Sequence, residues 1–342
     1  MKAAVVIPCR DEEATVGRVV EAARCGLAVV GGDVIVVAND CSDRSAKTAA
    51  AAGATVLERE LPGKGGAVAL GLTRALKAGA GAVLMLDADL SDPHPSWIRC
   101  LLAPILEGLA EFVAPVYIRD ARDATITNFF ARPALAARRR LLLEQPIGGD
   151  FGLSRALAQR LLARAELAPG WGVDIALSAL AAEKPGSVVQ ARLGAKRHRR
   201  RDPVTLRAMF EEVFRSLASF PQTHGELAAP PVEGFPPAGP PPEPVAARAK
   251  DLLGAAADAA KAALVENPPA EVARLLGACA GGLSSAEWGE AASRALDEPE
   301  QIAHLWPPFL ARVGEALASL ERGVPIDALR AEALEGFPGV EE

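Results

Sequence analysis

Residues 82–90 read AVLMLDADL, an apolar run that ends in two aspartates separated by one residue. The five apolar residues 82–86 are typical of a buried strand and too few for a stable helix. Open α/β sheets bind ligands at the carboxyl ends of their strands, where Asp87 and Asp89 can point to the same side. Carboxylates there suit Mg²⁺ or Mn²⁺ carrying a phosphate, although the Asp-x-Asp pattern is also common without a metal.

Composition limits the classes of function. The chain has 342 residues, 50% of them hydrophobic, which is enough for one large domain and a small one. A net charge of -6 argues against a nucleic-acid partner. The sequence shows no transmembrane run and no signal-peptide pattern. The five cysteines lack a paired metal spacing, so we expect reduced thiols in a cytoplasmic protein.

Strand-like and helix-like patterns alternate through the first 220 residues. Strands are expected at 3–8, 33–39, 54–57, 82–86, 111–117 and 187–193. Helices are expected at 11–28, 42–52, 63–78, 119–140, 175–182 and 203–220, with tight loops at 145–150 and 169–174. This alternation predicts an α/β fold with a parallel, doubly wound sheet. The residues after the first two strands should then lie at the same edge as Asp87: Arg10, Asp11, Glu12, Asn39 and Asp40.

Two further segments could bind phosphate. Residues 61–66 read LPGKGG and open a helix, where glycines, the helix N-terminus and Lys64 all favour an anion. The pattern is neither a Walker loop nor a complete Gly-x-Gly-x-x-Gly, and a glycine-rich turn with a solvated lysine is the alternative. Residues 196–201 read KRHRRR without interleaved aromatics, which favours a phosphate-binding loop over a nucleic-acid patch. His198 within them could ligate a metal, although a lone histidine is more often structural.

The last third of the chain has a different composition. Residues 221–244 are rich in proline and predict a stiff, extended linker. Residues 245–342 are rich in alanine and leucine and predict a small all-α domain of about four helices. We therefore expect a catalytic domain at 1–220, a linker at 221–244 and a helical domain at 245–342.

Six motifs together resemble a known family. They are PCRDE at 8–12, PGKG at 62–65, DAD at 87–89, QPIGGD at 145–150, WGVD at 171–174 and KRHR at 196–199. In this order they are similar to the motifs of GT-A glycosyltransferases that attach a sugar to glycerate or 3-phosphoglycerate, the mannosylglycerate and glucosyl-3-phosphoglycerate synthases. The resemblance covers about residues 1–220. One departure is Asp150, where the family has glutamate, and another is Arg10, where mannosylglycerate synthase has lysine.

The resemblance implies a role for each matching position. The ligands of a divalent ion, Mn²⁺ or Mg²⁺, would be Asp89 and His198. The donor-binding residues would be Pro8, Arg10, Glu12, Lys64, Asp87 and Gly148. The residues that position the transferred sugar for catalysis would be Asp87, Gly149 and Asp174. The acceptor-binding residues would be Arg119, Asp123, Ala124, Thr127 and Arg200.

The implied reaction is a metal-dependent, retaining transfer of mannose or glucose from GDP-mannose or UDP-glucose to a small carboxylate acceptor. No carboxylate stands out as a covalent nucleophile, so we expect front-face attack, with the leaving phosphate taking the proton. Thr125 is neutral where glucosyl-3-phosphoglycerate synthase has an arginine, which narrowly favours glycerate. Arg200 could supply the missing charge, so 3-phosphoglycerate stays open.

Two other functions compete with this one. The first is a GT-A transferase that acts on a polyprenyl phosphate or polysaccharide, which the acceptor series from Arg119 to Thr127 disfavours. The second is a scaffold protein with a degenerate transferase domain, which the presence of Asp87, Asp89, Lys64 and His198 disfavours. A homodimer is a further expectation.

Overall fold

The architecture is described from a computed structural model. It describes residues 2–119, 124–164, 170–198, 203–234, 255–256, 258–260, 262–263, 270–279 and 283–340. The chain forms two compact units, each made of discontinuous segments. The first unit contains residues 1–119, 143–201 and 229–242, and the second contains 120–142, 202–228 and 243–342.

The first unit is built on a mixed sheet. Its strands are β1 (Ala3–Cys9), β2 (Gly32–Asn39), β3 (Thr55–Arg59), β4 (Ala82–Met85), β5 (Phe112–Ile118), β6 (Phe151–Ser154), β7 (Val188–Ala195) and β8 (Val232–Glu233). They lie in the order β3-β2-β1-β4-β6-β5-β7-β8. Strand β6 is antiparallel to β4 and β5, whereas the other pairs are parallel.

The helices follow in chain order across both units. They are α1 (Val16–Leu27), α2 (Ser45–Ala51), α3 (Gly63–Lys77), α4 (Pro95–Leu106), α5 (Arg132–Arg139), α6 (Arg155–Leu162), α7 (Gly172–Ala181), α8 (Pro203–Ala218), α9 (Ala270–Ala278), α10 (Ser285–Asp297), α11 (Trp306–Glu321) and α12 (Ile326–Glu335). A π-helical segment, Thr127–Ala131, precedes α5, and short 3-10 turns lie at Pro185–Ser187 and Pro299–His304. Within the described ranges, no helix has the length and apolarity that crossing a membrane requires.

Both faces of the sheet in the first unit are covered. Val5 and Ile7 of β1 share a core with the apolar faces of α1 and α4. Helix α3 lies on the opposite face, where Gly71 packs so closely that a Cβ atom there would lie 2.3 Å from Cγ1 of Val6. This double coverage explains why β1 and β4 are almost wholly apolar.

Most predicted strands and helices are present, and three predictions were wrong. The sheet is not all-parallel, because β6 is an antiparallel strand that the sequence pattern did not predict, and α6 after it was also missed. The helix predicted from residue 119 is helical only from residue 125 and contains the π-helical segment, while residues 120–123 lie outside the described part. Residues 172–174 form the first turn of α7 rather than a loop.

The second unit has an aromatic core supplied by three separate parts of the chain. Phe130 stacks on Phe214 with ring centroids 5.0 Å apart, and Phe210 stacks on Phe309 at 4.7 Å. Trp288 Nε1 donates to the carbonyl oxygen of Phe129 at 2.8 Å. The π-helical segment, α8, α10 and α11 therefore share one core.

The proline-rich region is partly attached to the sheet. The carbonyl oxygens of Pro230 and Pro231 accept hydrogen bonds from Gln190, and β8 pairs with β7. Residues 235–244 of the predicted linker lie outside the described part. Helices α9 to α12 agree with the all-α pattern predicted for residues 245–342. The boundaries at 220 and 244 stay a prediction.

A truncation after Phe220 tests those boundaries. The shortened chain loses Trp288 and Phe309, so Phe130 loses its contact with Trp288 and Phe210 loses its contacts with both. Removing a buried aromatic side chain costs about 3–5 kcal/mol, and two are lost here. We expect a lower melting temperature and strong binding of an apolar dye, measured against the full chain. A fragment that melts cooperatively at the full-length temperature would instead support a domain ending at residue 220.

Candidate active site

The carboxyl ends of β1, β2 and β4 meet at one edge of the sheet, and the loops there carry the predicted donor-binding residues. Arg10 Nη2 donates to Asp40 Oδ2 at 2.9 Å, and both side chains are more than half exposed. The backbone N–H of Glu12, four residues after Pro8, donates to Ser45 Oγ at 2.8 Å. Asp11 and Asp40 have positive φ angles of 53° and 52°, a conformation that aspartate tolerates better than most residues. This edge is thus a polar, partly open surface.

Asn39, the buried last residue of β2, holds the glycine-rich loop in place. Its Oδ1 accepts from the backbone N–H of Leu61 at 2.8 Å, and its Nδ2 donates to the Gly63 carbonyl at 3.0 Å. Gly63 has a φ of 61°, which glycine adopts without strain. The clamp sets the start of α3 and therefore the position of Lys64.

Lys64 joins two predicted site carboxylates. Its Nζ lies 2.8 Å from Asp87 Oδ1 and 2.9 Å from Asp174 Oδ2, and all three side chains are largely buried. Burial lowers the Lys64 pKa, but the two carboxylates outweigh it and hold the pKa above its usual value. Burial raises the pKa of Asp174 and the Asp87 charge adds to this, against the opposing effect of Lys64. Asp87 shows the opposite balance, because two lysines outweigh burial and keep its pKa well below the usual range.

The loop Gly148–Gly149 lies directly against Asp87. Because β6 is antiparallel, it begins opposite the end of β4, with Met85 paired to Phe151. Gly149 has a φ of 82°, and a Cβ atom there would lie 2.0 Å from Asp87 Oδ2. Only glycine fits this position without moving the carboxylate.

A second buried lysine, Lys196, lies on the other side of Asp87. Its Nζ donates to Asp87 Oδ2 at 3.0 Å, to Asp150 Oδ2 at 2.8 Å and to the Gly148 carbonyl at 2.7 Å. The Tyr117 hydroxyl donates to the same Asp150 oxygen, and the Asp87 N–H donates to Asp150 Oδ1 at 2.8 Å. Burial, together with the Asp87 charge, raises the Asp150 pKa against the opposing effect of Lys196. Burial, together with Asp150, raises the pKa of Tyr117.

The sequence did not predict this group as a unit. Lys196 was quoted only within a basic segment, Asp150 only as a departure from the family, and Tyr117 only as the end of a strand. A signal existed in the position of Lys196, which immediately follows β7 at the edge where the other strands end.

The two predicted metal ligands also lie together. His198 Nδ1 is 4.0 Å from Asp89 Oδ2, and Leu90 and His198 form an isolated antiparallel bridge. This separation is too long for a hydrogen bond. It still allows one ion to lie about 2.1 Å from both atoms, which is a usual metal–ligand distance. A carboxylate oxygen and an imidazole nitrogen are suitable donors for Mn²⁺ or Mg²⁺, so the pair fits a divalent ion.

The predicted acceptor series is only partly described. Arg119 Nη2 lies 3.0 Å from His198 Nε2 in the first unit. Ala124 and Thr127 are buried within the second unit. Asp123 and Arg200 lie outside the described residues. The acceptor assignments therefore stay predictions.

Comparisons with known proteins identify the family of the chain. Residues 4–159 match the model of Glycosyl transferase family 2. The glucosyl-3-phosphoglycerate synthase of Mycolicibacterium paratuberculosis is 33% identical over 241 residues, which cover 63% of this chain and 71% of the relative. The synthase of Mycolicibacterium smegmatis is 34% identical over 238 residues, covering 63% and 76%. The Mycobacterium tuberculosis synthase, solved in complex with Mn²⁺, UDP and phosphoglyceric acid, superposes with a TM-score of 0.56 at 31% identity, covering 64% of this chain and 78% of that structure.

The sheet, its polar edge and these matches together define a GT-A glycosyltransferase. Within that class, the chain belongs to the family of the glucosyl-3-phosphoglycerate synthases.

Replacing Lys64 by methionine should destabilise the protein in a pH-dependent way. The substitution leaves Asp174 buried without its cation, which costs about 3–5 kcal/mol at neutral pH. The folded-state pKa of Asp174, already raised, then rises further, and protonation removes the unpaired charge. The loss in melting temperature should therefore be greatest near pH 7 and shrink toward pH 5.

The matched control is the double variant Lys64→Met/Asp174→Asn, which should recover most of the lost melting temperature. A deficit that is independent of pH and unrelieved in the double variant would contradict the buried ion pair.

Proposed function

We propose that this chain transfers a glucosyl group from UDP-glucose to 3-phosphoglycerate, using a divalent ion held by Asp89 and His198. The observation that carries the proposal is the buried pairing of Lys64 with Asp87 and Asp174 beside the Asp89–His198 pair. The Mycobacterium tuberculosis relative has been solved in complex with Mn²⁺, UDP-glucose and phosphoglyceric acid together, which supports this choice of substrates.

Lys64 has the hydrogen-bonding capacity to bind the donor phosphate. An ammonium group has three N–H donors, and two of them are used on Asp87 and Asp174. The third remains for a diphosphate oxygen at the N-terminus of α3, where the helix dipole also favours an anion. Each Asp87 oxygen accepts one lysine hydrogen bond and keeps a lone pair for a hydroxyl of the ribose or the sugar.

A bound divalent ion would stabilise the negative charge that develops on the diphosphate leaving group. Asp89 and His198 would hold that ion, while Lys64 adds preorganised positive charge within a largely buried site. The Asp87 carboxylate would fix the donor relative to both groups.

The transfer breaks the bond between the anomeric carbon and the diphosphate oxygen. It forms a bond between the anomeric carbon and the acceptor oxygen, and the acceptor proton passes to the departing diphosphate. Asp150 is enclosed by Lys196 and Tyr117, and a lysine also binds Asp174. These contacts oppose a role for either carboxylate as a covalent nucleophile. Together with the retention that the family resemblance implies, this favours front-face attack.

We choose 3-phosphoglycerate as the acceptor because the relatives are glucosyl-3-phosphoglycerate synthases, although one residue, Thr125, favours glycerate. Thr125 is neutral, so glycerate stays the second candidate, and a phosphate would then lack a charge-assisted contact worth about 1.5–3 kcal/mol. Arg200 is the residue proposed to supply that contact. Arg119 is proposed to bind the acceptor carboxylate.

Substitution of the proposed metal ligands tests the first half of this function. Asp89→Asn and His198→Ala should each reduce transfer by orders of magnitude, because each removes one of two protein ligands, while the melting temperature stays close to that of the parent. His224→Ala is the matched control, since His224 is exposed in the second unit, and it should transfer normally. Full activity of His198→Ala in chelated buffer resupplied with Mn²⁺ would reject the assignment.

Substrate competition tests the second half. UDP-glucose and GDP-mannose are compared as donors, and glycerate and 3-phosphoglycerate compete as acceptors at equal concentration. We expect UDP-glucose to be used and 3-phosphoglycerate to win by about tenfold or more, with Arg200→Ala abolishing that preference. A preference for glycerate, unchanged by Arg200→Ala, would show the acceptor proposal to be wrong.

A further inference from the structure

Lys196 has no hydrogen-bond donor left for a substrate. Its three N–H groups are matched by three acceptors, namely Asp87 Oδ2, Asp150 Oδ2 and the Gly148 carbonyl oxygen. Its side chain is only 4% exposed, and its ammonium lies 5.2 Å from the centroid of the Tyr117 ring. A lysine in this state cannot bind the donor directly and acts through the groups it holds.

Asp150 holds Lys196 in place. Its side chain is 0% exposed and accepts three hydrogen bonds, from Lys196, from the Tyr117 hydroxyl and from the backbone N–H of Asp87. A buried carboxylate is tolerable only with such full pairing. The same residue therefore fixes both the lysine that orients the Asp87 side chain and the backbone of Asp87 itself.

We propose that Tyr117, Asp150 and Lys196 form a positioning network that preorganises Asp87 for the nucleotide donor. The restraint passes along successive hydrogen bonds. Tyr117 restrains Asp150, Asp150 restrains Lys196, and Lys196 sets the direction of Asp87 Oδ2. Gly149 bounds the same oxygen from the side, where no Cβ atom fits. The inference rests on the proposed function only in that Asp87 contacts a nucleoside diphosphate.

The key variant is Tyr117→Phe, which removes one hydroxyl and keeps the ring that contacts Lys196 and Trp97. We expect the Kd for UDP with Mg²⁺ to rise about tenfold, and kcat/KM for the donor to fall by a similar factor, as for the loss of one hydrogen bond to a charged group. The KM for the acceptor should not change. A purely structural role predicts a lower melting temperature with unchanged nucleotide affinity, and that result would overturn the proposal.

Lys184→Met is the matched control for the companion variant Lys196→Met. Lys184 pairs with Glu111 at 2.8 Å on the surface of the same unit and is 57% exposed. We expect Lys184→Met to bind UDP like the parent. If Lys196→Met folds, it should lose more than the tenfold expected of Tyr117→Phe, because it also removes the contact to Asp87.

A spectroscopic measurement on the unaltered chain covers the case in which Lys196→Met does not fold. Tyr117 is the only tyrosine among the 342 residues, so labelling tyrosine with ¹³C at Cζ gives a single resonance. That resonance should shift on titration with UDP and Mg²⁺ if Asp87 and Tyr117 are coupled. No shift at saturating UDP would overturn the network.

The two proposals fail differently. If the chain binds UDP and the Tyr117 resonance shifts, but phosphoglycerate is not glycosylated, the network is supported and the proposed acceptor is rejected. If the chain transfers glucose while the Tyr117 resonance stays unchanged, the proposed function is supported and the network is rejected. If the chain binds neither UDP nor GDP, the proposed function and the network are both rejected, because Asp87 then has no nucleotide donor to bind.

Discussion

The arrangement of the site depends on one constraint, that buried charges must be paired. Asp87 lies between two lysines, with Lys64 on one oxygen and Lys196 on the other. Each lysine reaches a second carboxylate, so the five charged groups form one connected chain through Asp87. Removing either lysine leaves a buried carboxylate without its cation, Asp174 in the case of Lys64 and Asp150 in the case of Lys196, so both lysines are needed to hold the group together.

The antiparallel strand β6 makes this pairing possible. In an all-parallel sheet, the residues preceding a strand lie at the opposite edge from the residues that follow its neighbour. Because β6 is reversed, Gly149 and Asp150 precede it at the edge where β4 ends, and they meet Asp87 there. One local reversal thus adds a fourth loop to the edge that the ends of β1, β2 and β4 already define.

The sequence predicted what repeats along the chain and missed what depends on long-range contact. Apolar runs and helical spacing indicated β1, β2, β4 and α3, and the strand-end rule brought Asp87 and Lys64 to the same edge. Strand β6 has four residues with a glycine among them, too short and mixed to carry a pattern. The network around Lys196 joins residues 46 and 109 positions apart in the sequence, and no local pattern records such pairs.

The contact between Arg119 and His198 connects the proposed metal and acceptor sites. A guanidinium can only donate, so His198 Nε2 accepts, and a neutral imidazole then carries its proton on Nδ1, the atom that faces Asp89. Ligation of an ion through Nδ1 requires that proton on Nε2 instead, where it would oppose the Arg119 donor. The Arg119 contact and ligation through Nδ1 therefore exclude each other. Under the proposed function, His198 would hold the ion and Arg119 would bind the acceptor carboxylate, and the first of these roles requires the contact between the two side chains to open.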